Sequence, residues 1–224
     1  MAATGRRIRI ARAAIILGLL VASGGLLAGC VNFFRPGEPQ PPPGSSGARI
    51  PLQYTSPAAT LNTIKAAISA KGSGNARAAY IGAFANTTTD GVSFSATFDP
   101  VVVERRRASG RTVPTWTLEL EENFYSRFVL LRSAAYDLRW SEHPTAGSDE
   151  VGDDDATLHR RYEVFLADEA GSTLGRIAVG LVDLTFRKVD GRWAIVLWED
   201  RLDAAADPND PDEISLGERR LETQ

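Results

Sequence analysis

The stretch "LGRIAVGLVDLTFRKVDGRWAIVLWEDRL", from Leu174 to Leu202, constrains the fold more than any other part of the chain. Side chains alternate faces along an extended strand, so residues two apart share a side. Ile177, Val179 and Leu181 therefore fall on one side, and Ala178, Val182, Leu184 and Phe186 on the other. Asp190-Gly191 interrupts the pattern with the two residue types that best adopt the positive φ of a tight hairpin turn. The returning half sets Trp193, Ile195 and Leu197 opposite Val196 and Trp198. Two long strands joined this way, apolar in part on both faces, need cover on both faces. Alternation also runs through "AYDLRWS" and "TLHRRYEVFLAD" upstream, so the C-terminal half reads as a meander of long antiparallel strands.

The period differs before residue 135. "SPAATLNTIKAAISAKGSG" spaces Leu61, Ile64 and Ile68 as a helix does, with Gly72 and Gly74 beyond its end. "NARAAYIGAFAN" predicts a second short helix with Asn75 as its cap. "TWTLELEENFYSRFVLLRSAA" predicts the strongest helix, with Leu120, Phe124, Phe128 and Leu131 on one side. Thr117 stands at its cap, and Glu119, Glu121 and Glu122 stand where the helix dipole favours acids. "VSFSATFDP" reads as a short extended segment stopped by Pro100, and "VVVERRRASGRTVP" as a strand or an irregular loop. Helices first and strands afterwards predict an α+β fold: a cone-like curved antiparallel sheet packed against two or three N-terminal helices.

This order resembles the nuclear transport factor 2-like superfamily, whose relatives include ketosteroid isomerases and polyketide cyclases of the SnoaL kind. Two pieces carry the likeness: the closing hairpin "FRKVDGRWAIVLWEDR" and "WTLELEENFYSRF", with Trp116 ahead of the helix. Similar pieces recur in bacterial lipoproteins of that superfamily.

The N-terminus points to a compartment. Arg6, Arg7, Arg9 and Arg12 precede an uncharged apolar run that ends in Leu27-Ala28-Gly29-Cys30. A basic region, an apolar region and small residues describe an export signal. Cys30 is the only cysteine, so it forms no internal disulfide. The stretch resembles the lipobox of bacterial lipoproteins, which implies diacylglycerol on the Cys30 thiol, cleavage after Gly29 and an acylated new amino terminus. The resemblance to Gram-negative lipoproteins further implies that Val31, which is not aspartate, allows sorting to the outer membrane, on its periplasmic side. The expected organisation is a signal peptide over 1–29 and a lipidated, Pro/Gly/Ser-rich tether over 30–57. The domain follows over 58–203, then a loosely held acidic tail over 204–224.

Cleavage removes four of the 25 basic residues and no acid, leaving 21 against 28, a net charge of −7. That argues against nucleic acid as a partner, since phosphate binding needs a basic footprint. The membrane is expected as a partner only through the lipid on Cys30.

Catalytic relatives use an aspartate or histidine at the cone's mouth, and a carboxyl works there only if apolar walls raise its pKa. Asp183, Asp137 and Asp200 lie in or at the ends of apolar strands and are the candidates, with Asp183 foremost in "VGLVDLTF". The simpler reading of Asp183 is a strand aspartate facing solvent or paired with Arg176 or Arg187. Tyr80, Trp116, Phe124, Trp140 and Trp198 could line an apolar ligand pocket or simply fill the core. His143 and His159 read as surface residues, and "SDEVGDDDAT" as a solvated acidic loop lacking the EF-hand pattern. No cofactor and no metal are expected, and no nucleophile-elbow, phosphate-loop or zinc-peptidase motif occurs. The reading is an envelope lipoprotein that binds a small apolar ligand, an envelope protein or a second copy of itself. An isomerase, cyclase or dehydratase with a pocket carboxylate, and a purely structural component, are the alternatives.

Overall fold

A computed structural model of the chain describes residues 49–131, 135–168, 172–204, 206 and 214–224. Cys30, the signal peptide and most of the tether lie outside the described residues.

Helix α1, Pro57–Ser69, begins where Ser56 Oγ accepts from Ala59 N at 3.1 Å and Pro57 supplies a preset φ at the first turn. Its buried stripe is Leu61, Ile64, Ala67 and Ile68. Helix α2, Ala76–Ile81, follows, but Asn75 does not cap it with its side chain. Instead the Asn75 amide brackets Ile50, accepting from its N–H at 3.0 Å and donating to its carbonyl at 2.8 Å. Ile50 is buried, and the Tyr54 carbonyl accepts from Trp193 N. The folded domain thus takes in residues 50–56, which composition assigned to the tether.

Helix α3, Thr87–Asp90, and strand β1, Ser95–Thr97, lead to helix α4, Pro100–Ala108. α4 replaces the strand or loop expected there. Asp99 Oδ1 accepts from Val101 N at 2.8 Å, Pro100 opens the first turn, and Arg105, Arg106 and Arg107 sit at the carbonyl end. Only Val102 of α4 is buried, so no apolar period announced it. Helix α5, Leu118–Phe124, passes into a π-helical segment, Tyr125–Leu130. Phe124, Tyr125, Phe128 and Val129 are all buried. Thr117 makes no side-chain cap.

Strands β2 (Ala135–Glu142), β3 (Glu150–Val151), β4 (Asp155–Ala167), β5 (Thr173–Val189) and β6 (Arg192–Leu202) complete the sheet. The order is β1-β6-β5-β4-β2, with β3 on β4. The sheet is mixed rather than wholly antiparallel, because β1 runs parallel to β6 along its free edge. Asp190 and Gly191 have φ of 50° and 80°, the positive values the hairpin turn requires. Register shifts between Thr185 and Phe186: Thr185 pairs with Leu197 while Phe186 pairs with Ile195. The bulge at Val196 therefore breaks the simple alternation expected for β6. Ile195, opposite the inward Phe186, and Trp198, opposite the inward Leu184, share the inner face.

β6 ends opposite Gly180, and the last segment of the chain takes over the edge of β5 beyond that point. Val179 N donates to Ile214 O at 3.1 Å, and helix α6, Leu216–Glu222, follows. Leu216, Arg220 and Leu221 are buried. Residues 214–224 are thus packed structure, not the loose tail expected. The many acids and prolines around them hid two leucines and an arginine with places in the core. Among the described residues no helix is long and apolar enough to cross a membrane.

Candidate functional site

The three candidate aspartates separate to opposite faces of the sheet. Asp137 is outward and paired with Arg139 at 2.7 Å. Asp183 is outward too, on the side of Val179 and Leu181, directly across from His159 in register. Its Oδ1 lies 2.5 Å from His159 Nδ1 and its Oδ2 3.0 Å from Arg201. The pairing with Arg176 or Arg187 does not occur. Arg176 reaches Glu163 and Arg187 reaches Asp155, each nearer along the ladder. Asp200 alone points into the domain.

Asp200 belongs to a buried polar socket that sequence reasoning did not assemble. Glu121, fully buried on α5, accepts four hydrogen bonds: at Oε1 from Tyr80 (2.5 Å) and Arg220 Nη2 (2.8 Å), at Oε2 from Trp116 Nε1 (2.7 Å) and Arg220 Nε (2.8 Å). Such a saturated carboxylate is an acceptor only, and the paired guanidinium fork is the strong form of this contact. Arg220, also fully buried, lies over the Trp198 ring at 4.2 Å and the Phe124 ring at 5.4 Å. Asp200 Oδ2 accepts from Tyr162 at 2.9 Å and Trp198 Nε1 at 3.2 Å, and stands 3.9 Å from Arg220 Nη1. Ser215 also hydrogen-bonds the Asp200 carboxyl, whereas Arg220 Nη1 makes no hydrogen bond. Tyr162 Oη in turn accepts from Leu216 N at 2.7 Å, which ties α6 to the socket.

Tyr80, Trp116, Phe124 and Trp198, four of the five aromatic candidates, are thus buried within this network. Trp140 is half-buried, its indole reaching Leu61 O and its ring 6.1 Å from that of Trp198. Glu121 was read from the sequence only as an acid favoured by the helix dipole. A better signal was its spacing: it shares a face with Phe124, Tyr125 and Phe128, three, four and seven residues on. Arg220 lacked any comparable signal.

Burial pushes the Tyr80 and Tyr162 hydroxyls well above their ordinary range, so both act as donors. Burial also raises Asp200, and the Arg220 charge opposes this without cancelling it. Folding therefore favours protonated Asp200, and that contribution is present below the ordinary value of 3.8 and lost as pH rises through the raised value. Asp200→Asn, which mimics the protonated acid, is expected to be at least as stable as wild type at neutral pH. Its advantage shrinks as pH falls toward 3.8. Denaturant titrations of both chains across that window check this, and a variant much weaker than wild type at pH 7 contradicts it.

The outward face holds a second feature. A pocket of about 370 Å³ is lined by both histidines with Glu142, Ser148, Asp149 and Arg160. His143 Nδ1 accepts from Thr145 N and Ala146 N, so its neutral form carries the proton on Nε2. His159, expected at the surface, is half-buried and oriented by Asp183. In the acidic loop, Asp149 pairs with Arg160 at 2.6 Å, and among the described residues no group of three ligands suits a metal ion.

No family model matches the sequence, and no curated protein matches it. Three solved structures are similar to parts of it. A protein of unknown function from Mycobacterium tuberculosis is 18% identical over 74% of this chain and 85% of its own, with a TM-score of 0.47. A nuclear transport factor 2-like protein of unknown function from Shewanella oneidensis is 11% identical over 63% and 92%, at 0.41. A protein of unknown function with a cystatin-like fold from Nostoc punctiforme is 12% identical over 65% and 87%, at 0.43.

Proposed function

We propose that the chain is a lipid-anchored envelope protein whose α+β domain works by binding rather than by catalysis. The observation that carries the second half is the Arg220 guanidinium, seated between Glu121, Asp200, Trp198 and Phe124. The interior acids that a substrate would meet are already engaged by the chain itself. Four of the five aromatic residues that would line an apolar pocket, Tyr80, Trp116, Phe124 and Trp198, pack on this network instead. A general acid or base needs access to the substrate proton within hydrogen-bond reach, and Asp200 has none in this arrangement.

Anchoring rests on the Leu27-Ala28-Gly29-Cys30 sequence. Lipid attachment through more than one acyl chain gives stable membrane residence. Wild type is expected in the outer-membrane fraction and extractable only with detergent, and Cys30→Ala in the soluble fraction or uncleaved at the inner membrane. A Cys30→Ala chain that still partitions to the outer membrane contradicts the anchor. Native mass spectrometry of the full chain, released gently from its own envelope, tests binding. A co-purifying protein or small molecule supports it, whereas a bare chain that turns over a steroid or polyketide substrate contradicts it.

The His159–Asp183 contact at 2.5 Å favours one second reading, acid–base chemistry at the outward pocket. Asp183 would there be a positioning residue holding the His159 ring with Nε2 available. Asp183→Asn would then lower any turnover and shift its pH profile.

A further inference from the structure

We infer that the interior socket is a guanidinium-recognition site, that Arg220 is its resident occupant, and that an arginine side chain from a partner protein can take its place. This rests on the binding reading above and names the ligand's chemistry.

The socket carries the features that select a guanidinium over an ammonium. Glu121 presents both oxygens to two nitrogens of one fork, each at 2.8 Å. Trp198 and Phe124 supply aromatic faces to the same planar group. A planar cation that pairs bidentately and stacks on rings is what arginine offers and lysine does not.

The resident fits this socket incompletely. Arg220 Nη1 stops 3.9 Å from Asp200 Oδ2 and has no hydrogen-bond partner. Two carboxyls face one guanidinium, and its third nitrogen falls short of the second carboxyl. α6 comes close to that carboxyl with a glycine: a Cβ at Gly217 would stand 2.8 Å from Asp200 Oδ1. A guanidinium on a tether of its own could hold Glu121 through its fork and reach Asp200 with the remaining nitrogen. Buried donors and acceptors left without partners are costly, so this second bond favours the incoming group.

The competing group must wait for α6 to leave. α6 is held by the Arg220–Glu121 fork, by the buried Leu216 and Leu221, by Leu216 N to Tyr162 Oη, by Arg219 to Ile177 O at 3.0 Å, and by the half-exposed Glu218–Arg105 pair. A seven-residue helix with these anchors can open as a local unit. Apparent affinity for an incoming guanidinium is then reduced by the small fraction of molecules in which α6 is released.

The test uses the full chain in detergent with four probes: agmatine, putrescine as the diamine lacking a guanidinium, and capped Gly-Arg-Gly and Gly-Lys-Gly peptides. Hydrogen exchange is read at the amides of residues 216–222. The expected result is a saturable rise, at least about tenfold, with agmatine and the arginine peptide but not with the two amines, and tighter agmatine binding by Arg220→Ala, in which no resident competes. A response to agmatine alone assigns the site to a free guanidine rather than a partner's arginine and overturns the partner half of the inference. Unchanged exchange in wild type, with Arg220→Ala binding agmatine, makes Arg220 a permanent lock and overturns the inference. So does a folded Arg220→Ala that binds nothing. Should Arg220→Ala fail to fold, Arg220→Lys takes its place, and the wild-type exchange result decides by itself. Neither failure touches the binding reading, which turns on co-purification.

Discussion

Glu121→Gln destabilises the domain by about 3–5 kcal/mol, the cost of breaking a buried ion pair by removing one partner. Four donors converge on this carboxylate, from Tyr80, Trp116 and Arg220. A neutral amide carries two hydrogens of its own, so one arm of the site turns from acceptor to donor and faces donors. Arg220 keeps its charge at zero exposure, with Asp200 as the nearest remaining acid at 3.9 Å. Denaturant unfolding of the two full chains measures the loss. The double variant Glu121→Gln with Arg220→Met is expected to recover much of it, since an apolar replacement of a buried pair removes both desolvated charges. A single variant within about 1 kcal/mol of wild type, the range of exposed ion pairs, contradicts the buried pair.

Gly180→Ala costs about 3 kcal/mol by a different route, overpacking combined with lost hydrogen bonds. Tyr162 lies flat across Gly180: a Cβ there would stand 2.2 Å from Tyr162 Oη, 2.5 Å from its Cζ and 2.9 Å from Arg201 O. The ring cannot swing aside at little cost, because its hydroxyl is pinned between Leu216 N and Asp200 Oδ2. Displacing it therefore loosens α6 as well as the sheet. Hydrogen exchange at residues 216–222 should quicken along with the fall in stability. Adding Tyr162→Phe to Gly180→Ala removes the most crowded atom and should recover part of the loss. A Gly180→Ala chain as stable as wild type, with α6 still protected, contradicts this packing.

The long strands were legible because their signals are local. Alternation through β5, the Asp190-Gly191 turn and the helical spacing of Leu61, Ile64 and Ile68 each depend on neighbours in sequence. What the sequence hid depends on distant partners. The bulge at Val196 reverses the face of half of β6 and is visible only through pairing with β5. α4 buries a single residue, so its helix rests on capping by Asp99 and Pro100 rather than on an apolar stripe. The socket joins residues 99 positions apart, Glu121 and Arg220, in segments read as a helix start where the dipole favours acids and as a loose tail. A charged residue announces burial only through its partner, and no local pattern names that partner. Asp183 shows the converse. Apolar neighbours in sequence made it the leading candidate, yet they lie on the opposite face of the same strand or beside it, and its own partners are His159 and Arg201.

The central claim is that Arg220 fills the interior of the domain. Nitrogen-15 NMR of the full chain measures this most directly, through the exchange of arginine side-chain protons with water. The account predicts one arginine Nε–H that persists in deuterium oxide long after the others vanish, that is absent in Arg220→Lys, and that is lost early in Glu121→Gln. Uniformly fast exchange of all arginine side chains in the folded wild type would place Arg220 in water and contradict the account.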